Sequence, residues 1–79
     1  MQVKIYSLRG TQYEGDAVSI NAMTEAGEIT VLDHHRPLVT ILKPCDLRVE
    51  EKDGTKKIIP ALGGFLEVGE NNEVTVLID

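Results

Sequence analysis

Five strand-favouring residues, Leu38-Val39-Thr40-Ile41-Leu42, lie between Pro37 and Pro44, and this bounded run limits the architecture of the chain more than any other stretch. An apolar run so short and so closely bracketed reads as a buried β-strand rather than a helix. Proline has no amide proton to give to a central ladder, so both prolines belong at strand ends. Alternation puts Leu38, Thr40 and Leu42 on one face and Val39 and Ile41 on the other. Apolar residues on both faces predict a strand with the core on one side and a further subunit on the other.

The remaining segments repeat the pattern. Met1 to Leu8 alternates, with Val3 and Ile5 opposite Gln2 and Lys4, and Gly10 closes it. Tyr13 to Asp16 leads into a half-buried strand, Ala17 to Met23, in which Val18, Ile20 and Ala22 share the inner face; Gly15 is the expected bulge. Glu25-Ala26-Gly27 turns the chain into Glu28 to Leu32, and Asp33 to Arg36 forms a charged corner. Asp53-Gly54 predicts a two-residue hairpin turn between Asp46–Lys52 and Thr55–Ala61. That register sets Glu51 opposite Lys56, Glu50 opposite Lys57 and Val49 opposite Ile58. Gly63-Gly64 marks a close backbone approach, Phe65 to Val68 is a strand, and Val74 to Ile78 is the last, with Val74, Val76 and Ile78 on one face. Short strands with turn signals every 8 to 12 residues define an all-β sandwich or barrel.

Seventy-nine residues make one domain, 1–79, and a chain of this length buries only roughly 60 to 65% of its unfolded surface. A net charge of −5 argues against nucleic acid, whose phosphates need clustered Lys and Arg. With a single cysteine, Cys45, and no basic-then-apolar leader, the reading is an intracellular protein. No apolar stretch approaches the 18 or so residues of a membrane span, so direct membrane insertion is not expected. The phosphate-cradling glycine loop, paired zinc cysteines and Gly-x-Ser-x-Gly elbow are absent, so the chain reads as non-enzymatic. His34 and His35 are adjacent, and neighbours in an extended chain point to opposite sides, so no metal site is expected. Ala22-Met23-Thr24-Glu25 resembles the turn of biotinyl carrier domains, but Thr24 stands where the acceptor lysine would be.

Six segments in order, Tyr13-Glu14-Gly15, Gly27-Glu28-Ile29, His35-x-Pro37-Leu38-Val39-Thr40, Leu42-Lys43-Pro44, Gly63-Gly64-Phe65-Leu66-Glu67-Val68 and Val74-Thr75-Val76-Leu77, make nearly the whole chain similar to the N-terminal domain of the epsilon subunit of F-type ATP synthases. The resemblance implies a flattened β-sandwich of two roughly five-stranded sheets. It also implies a non-catalytic rotor subunit of the central stalk that binds the gamma subunit and contacts the polar loops of the c-ring, coupling ion transport to ATP synthesis. The catalytic-head subunits are reached through the complex, no cofactor is expected, and the location implied is the cytoplasmic face of the bacterial inner membrane. Glu28 and His35 match the Gly-Glu and His-x-Pro positions at a corner that implies c-ring contact, with His34 and Arg36 beside them. For gamma, the candidates are apolar strand residues beyond those the core needs, Val39 and Ile41 first, then Leu66 and Leu77. The other reading is a free-standing β-sandwich adaptor.

The chain departs from the family pattern in four places. Asp33-His34 replaces the usual Pro-Gly, Thr30 and Cys45 stand where Gly is usual, and the sequence ends at Asp79, before the helical pair that family members usually carry, as either a naturally short form or one domain of a longer chain. Lost glycines predict corner loops that use backbone conformations open to residues with a Cβ. Without the helical pair, neither hairpin-type inhibition of ATP hydrolysis nor tight ATP binding is expected.

Overall fold

The computed structural model describes residues 1–79 as eight strands and no helix: β1 (Gln2–Ser7), β2 (Gly10–Thr24), β3 (Gly27–Leu32), β4 (Leu38–Leu42), β5 (Cys45–Glu51), β6 (Lys56–Ala61), β7 (Gly64–Val68) and β8 (Glu73–Ile78). All-β architecture follows from the period-two alternation seen in the sequence. Strand β2 is 15 residues long and belongs to two layers. Its first half pairs with β1, and β1 continues through β8 and β7 to β4. Its second half pairs with β3 on one side and β5 on the other, and β5 pairs with β6. One layer therefore has five strands and the other four, with β2 counted in each. Backbone bonds from Glu25 N to Ile41 O (3.1 Å) and from Lys43 N to Met23 O (2.9 Å) join β4 back to the end of β2.

Strand β2 carries two bulges, the second where it passes from one layer to the other. Opposite β1 the register shifts between Ile5 and Tyr6, and opposite β5 it shifts between Ala17 and Ser19. The second leaves Val18 as the extra residue, so Ala17 and Ile20 are both buried although three positions apart. An extra residue reverses the alternation and keeps the inner face inward as the strand changes layers. The expected bulge at Gly15 is thus corrected to Val18, and Val18 is not one of the fully buried positions.

Sixteen buried apolar residues form the core. Val3, Ile5, Leu66, Val68, Val74, Val76 and Ile78 come from the five-stranded layer, and Ile20, Ala22, Val31, Leu47, Val49 and Ala61 from the other. Each fully buried Val, Leu or Ile contributes about 1.5–3 kcal/mol relative to exposure. Thr24 is the one buried polar residue. Its hydroxyl donates to the Gly27 carbonyl at 2.7 Å and accepts from the Ala26 amide at 3.1 Å, closing the β2–β3 turn.

The hairpin turn lies where Asp53-Gly54 places it, but the register differs by one residue. The Gly54 amide donates to Glu51 O (2.9 Å) and the Glu51 amide to Thr55 O (2.8 Å), so the loop is Lys52-Asp53-Gly54 with Gly54 at φ 88°. A three-residue loop with a left-handed glycine is the next hairpin after the two-residue type. Glu50 consequently faces Lys56, Val49 faces Lys57 and Arg48 faces Ile58. This one-residue slip moves Ile58 to the outer face and leaves Ile59 packed against the core. The Asp53 carboxylate accepts from the Thr55 amide at 2.9 Å, which holds its pKa below the ordinary value.

Candidate partner surfaces

The two layers present unlike outer faces. Across the five-stranded layer, Ile41 pairs with Phe65, Phe65 with Leu77, and Leu77 with Tyr6. These four side chains form one row across four strands, because residues directly opposite in a sheet share a face. Ile41 is 46%, Phe65 54% and Leu77 53% exposed, and Val39, two residues along β4, is 68% exposed. Such a contiguous apolar row on water is uncommon without a partner. On the four-stranded layer, Ser19, Glu50 and Lys56 lie in one row and Asn21, Arg48 and Ile58 in the next, a mainly polar face.

Three of the four residues assigned to gamma, Val39, Ile41 and Leu77, stand on this apolar face. Leu66 does not: it is 0% exposed, pointing inward beside Val68, and it is replaced as a surface candidate by its neighbour Phe65. The signal for Phe65 was in the sequence, since Glu67 two residues on marks that phase of β7 as the wet one. Tyr6 was missed because its place depends on the parallel pairing of β1 with β8, which joins the two ends of the chain.

The four residues assigned to the c-ring do not form one corner. Glu28 lies near the start of β3 and His34, His35 and Arg36 follow its far end, and the four steps from Glu28 to Leu32 span about 13 Å at strand rise. What they share is an edge, because β3 pairs only with β2. All four are exposed. The Glu28 carboxylate accepts from Asn21 Nδ2 at 3.0 Å. His35 donates its amide to Leu32 O (3.2 Å), and its Nδ1 lies 2.7 Å from the Arg36 carbonyl, which fits a protonated Nδ1 donating.

Asp33, at the root of that loop, is tied to two other parts of the chain. Its Oδ1 accepts from the Met1 ammonium at 2.5 Å and from Asn72 Nδ2 at 3.3 Å. The same ammonium donates to Ala17 O (2.9 Å) and Asp16 Oδ1 (3.2 Å). These bonds, the ammonium first and Asn72 next, hold the Asp33 carboxyl below its ordinary value. The bond to Asp33 raises the amine, partly opposed by burial. The departures from the family pattern are accommodated in two ways. Thr30 and Cys45 lie within strands, where a Cβ is no obstacle, whereas His34 keeps the left-handed backbone of a glycine at φ 62°.

Fold and surface together define a small all-β sandwich with one apolar outer face and one polar outer face. The family model for the ATP synthase Delta/Epsilon chain beta-sandwich domain matches residues 1–79, and the chain belongs to this family. Relatives named ATP synthase epsilon chain include those of Psychrobacter cryohalolentis, 42% identical, and Acinetobacter baylyi, 39% identical, each aligned over all 79 residues. The chain spans 56% of the length of these relatives. Among solved structures, a chain in the Euglena gracilis mitochondrial ATP synthase OSCP/F1/c-ring assembly superposes with a TM-score of 0.89 at 26% identity, over 96% of this chain and 48% of that one. A chain of the Tetrahymena thermophila mitochondrial ATP synthase central stalk and c-ring gives 0.82 over 99% of this chain and 62% of that one; at 17% identity it speaks for the fold alone.

Proposed function

We propose that this domain belongs to a non-catalytic central-stalk subunit of an F-type ATP synthase, seated on the gamma subunit and touching the polar loops of the c-ring. The subunit couples ion transport to ATP synthesis by helping to fix gamma to the ring, and it is peripheral to the membrane, on its cytoplasmic face in a bacterium. The observation that carries the reading is the row Ile41, Phe65, Leu77 and Tyr6, with Val39 beside it, on the outer face of a sandwich whose whole length matches the family. An apolar face of this kind is covered in an assembly, and gamma is the partner assigned to it. The free edge of β3, with Glu28 at one end and His34, His35 and Arg36 at the other, is assigned to the ring. Loops set on a rigid scaffold commonly carry such contacts.

Co-purification tests the reading. The tagged chain, expressed in its own organism, brings down gamma and the catalytic-head subunits, and Phe65→Asp abolishes their recovery while the variant stays folded. Recovery of other proteins in their place would mark a free-standing adaptor instead.

A further inference from the structure

We propose that Asn72 is a positioning residue for the His34–Arg36 loop: its side chain, with Asp33, clamps His34 in a left-handed backbone that this chain adopts without a glycine. The inference about the backbone stands on geometry alone; its consequence for ring contact rests on the function proposed above.

The bond from the His35 amide to Leu32 O closes a four-residue turn with Asp33 and His34 at its centre. His34 is its third residue and has φ 62°. A turn with positive φ only at that place is of the type II kind, which favours glycine or asparagine there because a Cβ is crowded. Histidine needs outside help to stay in it. Asn72 supplies that help from the β7–β8 turn, 38 positions away: its Oδ1 accepts the His34 amide at 2.7 Å and its Nδ2 donates to Asp33 at 3.3 Å. One side chain thereby holds both central residues of the turn. Asn72 is itself fixed, because its carbonyl accepts the Gln2 amide at 3.1 Å. Its φ of 57° is one that asparagine tolerates better than most residues. His35 and Arg36 follow directly, so their direction of approach depends on the turn.

The test is a double-mutant cycle with His34→Gly, which removes the need for the clamp, and Asn72→Gly, which deletes its side chain while leaving backbone freedom at position 72. In the 79-residue chain, Asn72→Gly lowers the melting midpoint by about 4–8 °C, the shift that a loss of about 1 kcal/mol gives in a domain of this size, and speeds amide exchange at His34 about tenfold. In the His34→Gly background the same change lowers the midpoint by less than half as much. Equal drops in both backgrounds would make the two sites independent and overturn the clamp. For the functional half, His35→Cys in a Cys45→Ser background is crosslinked within the assembled synthase. Asn72→Gly cuts the yield to the c subunit severalfold and His34→Gly restores it. An unchanged yield would overturn the positioning role, whereas no product even with Asn72 intact would sink the ring contact and leave the backbone result standing.

Discussion

Tyr13 and Glu51 are joined by a 2.6 Å hydrogen bond from the phenol to the carboxylate, a tie between the first half of β2 and the end of β5. Burial, with the Glu51 bond next, pushes the Tyr13 phenol up to about 12. Gly15 makes room for it, since a Cβ there would lie 2.8 Å from the Tyr13 hydroxyl and 3.5 Å from the Glu51 carboxylate. Tyr13→Phe is expected to cost about 1.5–3 kcal/mol, the range for a hydrogen bond to a charged acceptor. Gly15→Ala displaces the phenol, so its cost shrinks in the Tyr13→Phe background. Urea unfolding of the two single variants and the double variant measures this coupling.

Gly64 tolerates no side chain. At φ 140°, an added Cβ would overlap the carbonyl oxygen of Leu77 on the neighbouring strand. Gly64→Ala therefore combines an unfavourable backbone conformation with a clash against backbone that cannot rotate away, and it destabilises by at least about 2 kcal/mol. Gly10→Ala, with open space around its position, loses less. Thermal melts of the pair give the comparison.

The apolar row separates binding from folding. Leu77→Asp, at a half-exposed position, leaves stability within about 0.5 kcal/mol but abolishes co-purification with gamma. Leu66→Ala, one strand away and wholly buried, costs about 2–5 kcal/mol by opening a cavity. A Leu77→Asp chain that melts early would place that side chain in the fold instead.

Stability has two flanks in pH set by the cluster around the Met1 amine, in which Asp33 and Asp16 are the carboxylates and the His34 imidazole lies beside Asp33. The amine is raised above its ordinary 8.0, so its contribution is complete below pH 8 and is lost as pH rises through the raised value. Asp33 is lowered below 3.8, so its contribution is complete above that and is lost as pH falls through the lowered value. Asp33→Asn flattens both flanks, an outcome read from urea midpoints at acid, neutral and alkaline pH.

Local chemistry was legible in the chain. Alternation placed Val3 and Ile5, and Val74, Val76 and Ile78, on the core side where the structure has them. Gly63-Gly64 marked the close approach and Asp53-Gly54 marked the turn. Phase was harder to read. Asp-Gly serves both two- and three-residue loops, so the hairpin register slipped by one, and Val18 is bulged without a glycine to announce it. In β7 the phase chosen put Leu66 outside instead of Phe65. The match to the family's Gly-Glu and His-x-Pro positions implies one corner for Glu28 and His35, whereas the extended strand between them carries its ends apart. Least legible was the parallel pairing of β1 with β8, which depends on which distant segments meet rather than on any local signal.

Because Gly10–Thr24 is unbroken from one layer into the other, the layers cannot slide past each other without straining covalent chain. Most sandwiches resist such shear through side-chain contacts between sheets, which yield gradually. Here a sideways load on the apolar face reaches the opposite layer along covalent backbone made of rigid planar peptide units, which turns only at φ and ψ. A part held between neighbours that pull in different directions would gain stiffness from such a through-going strand.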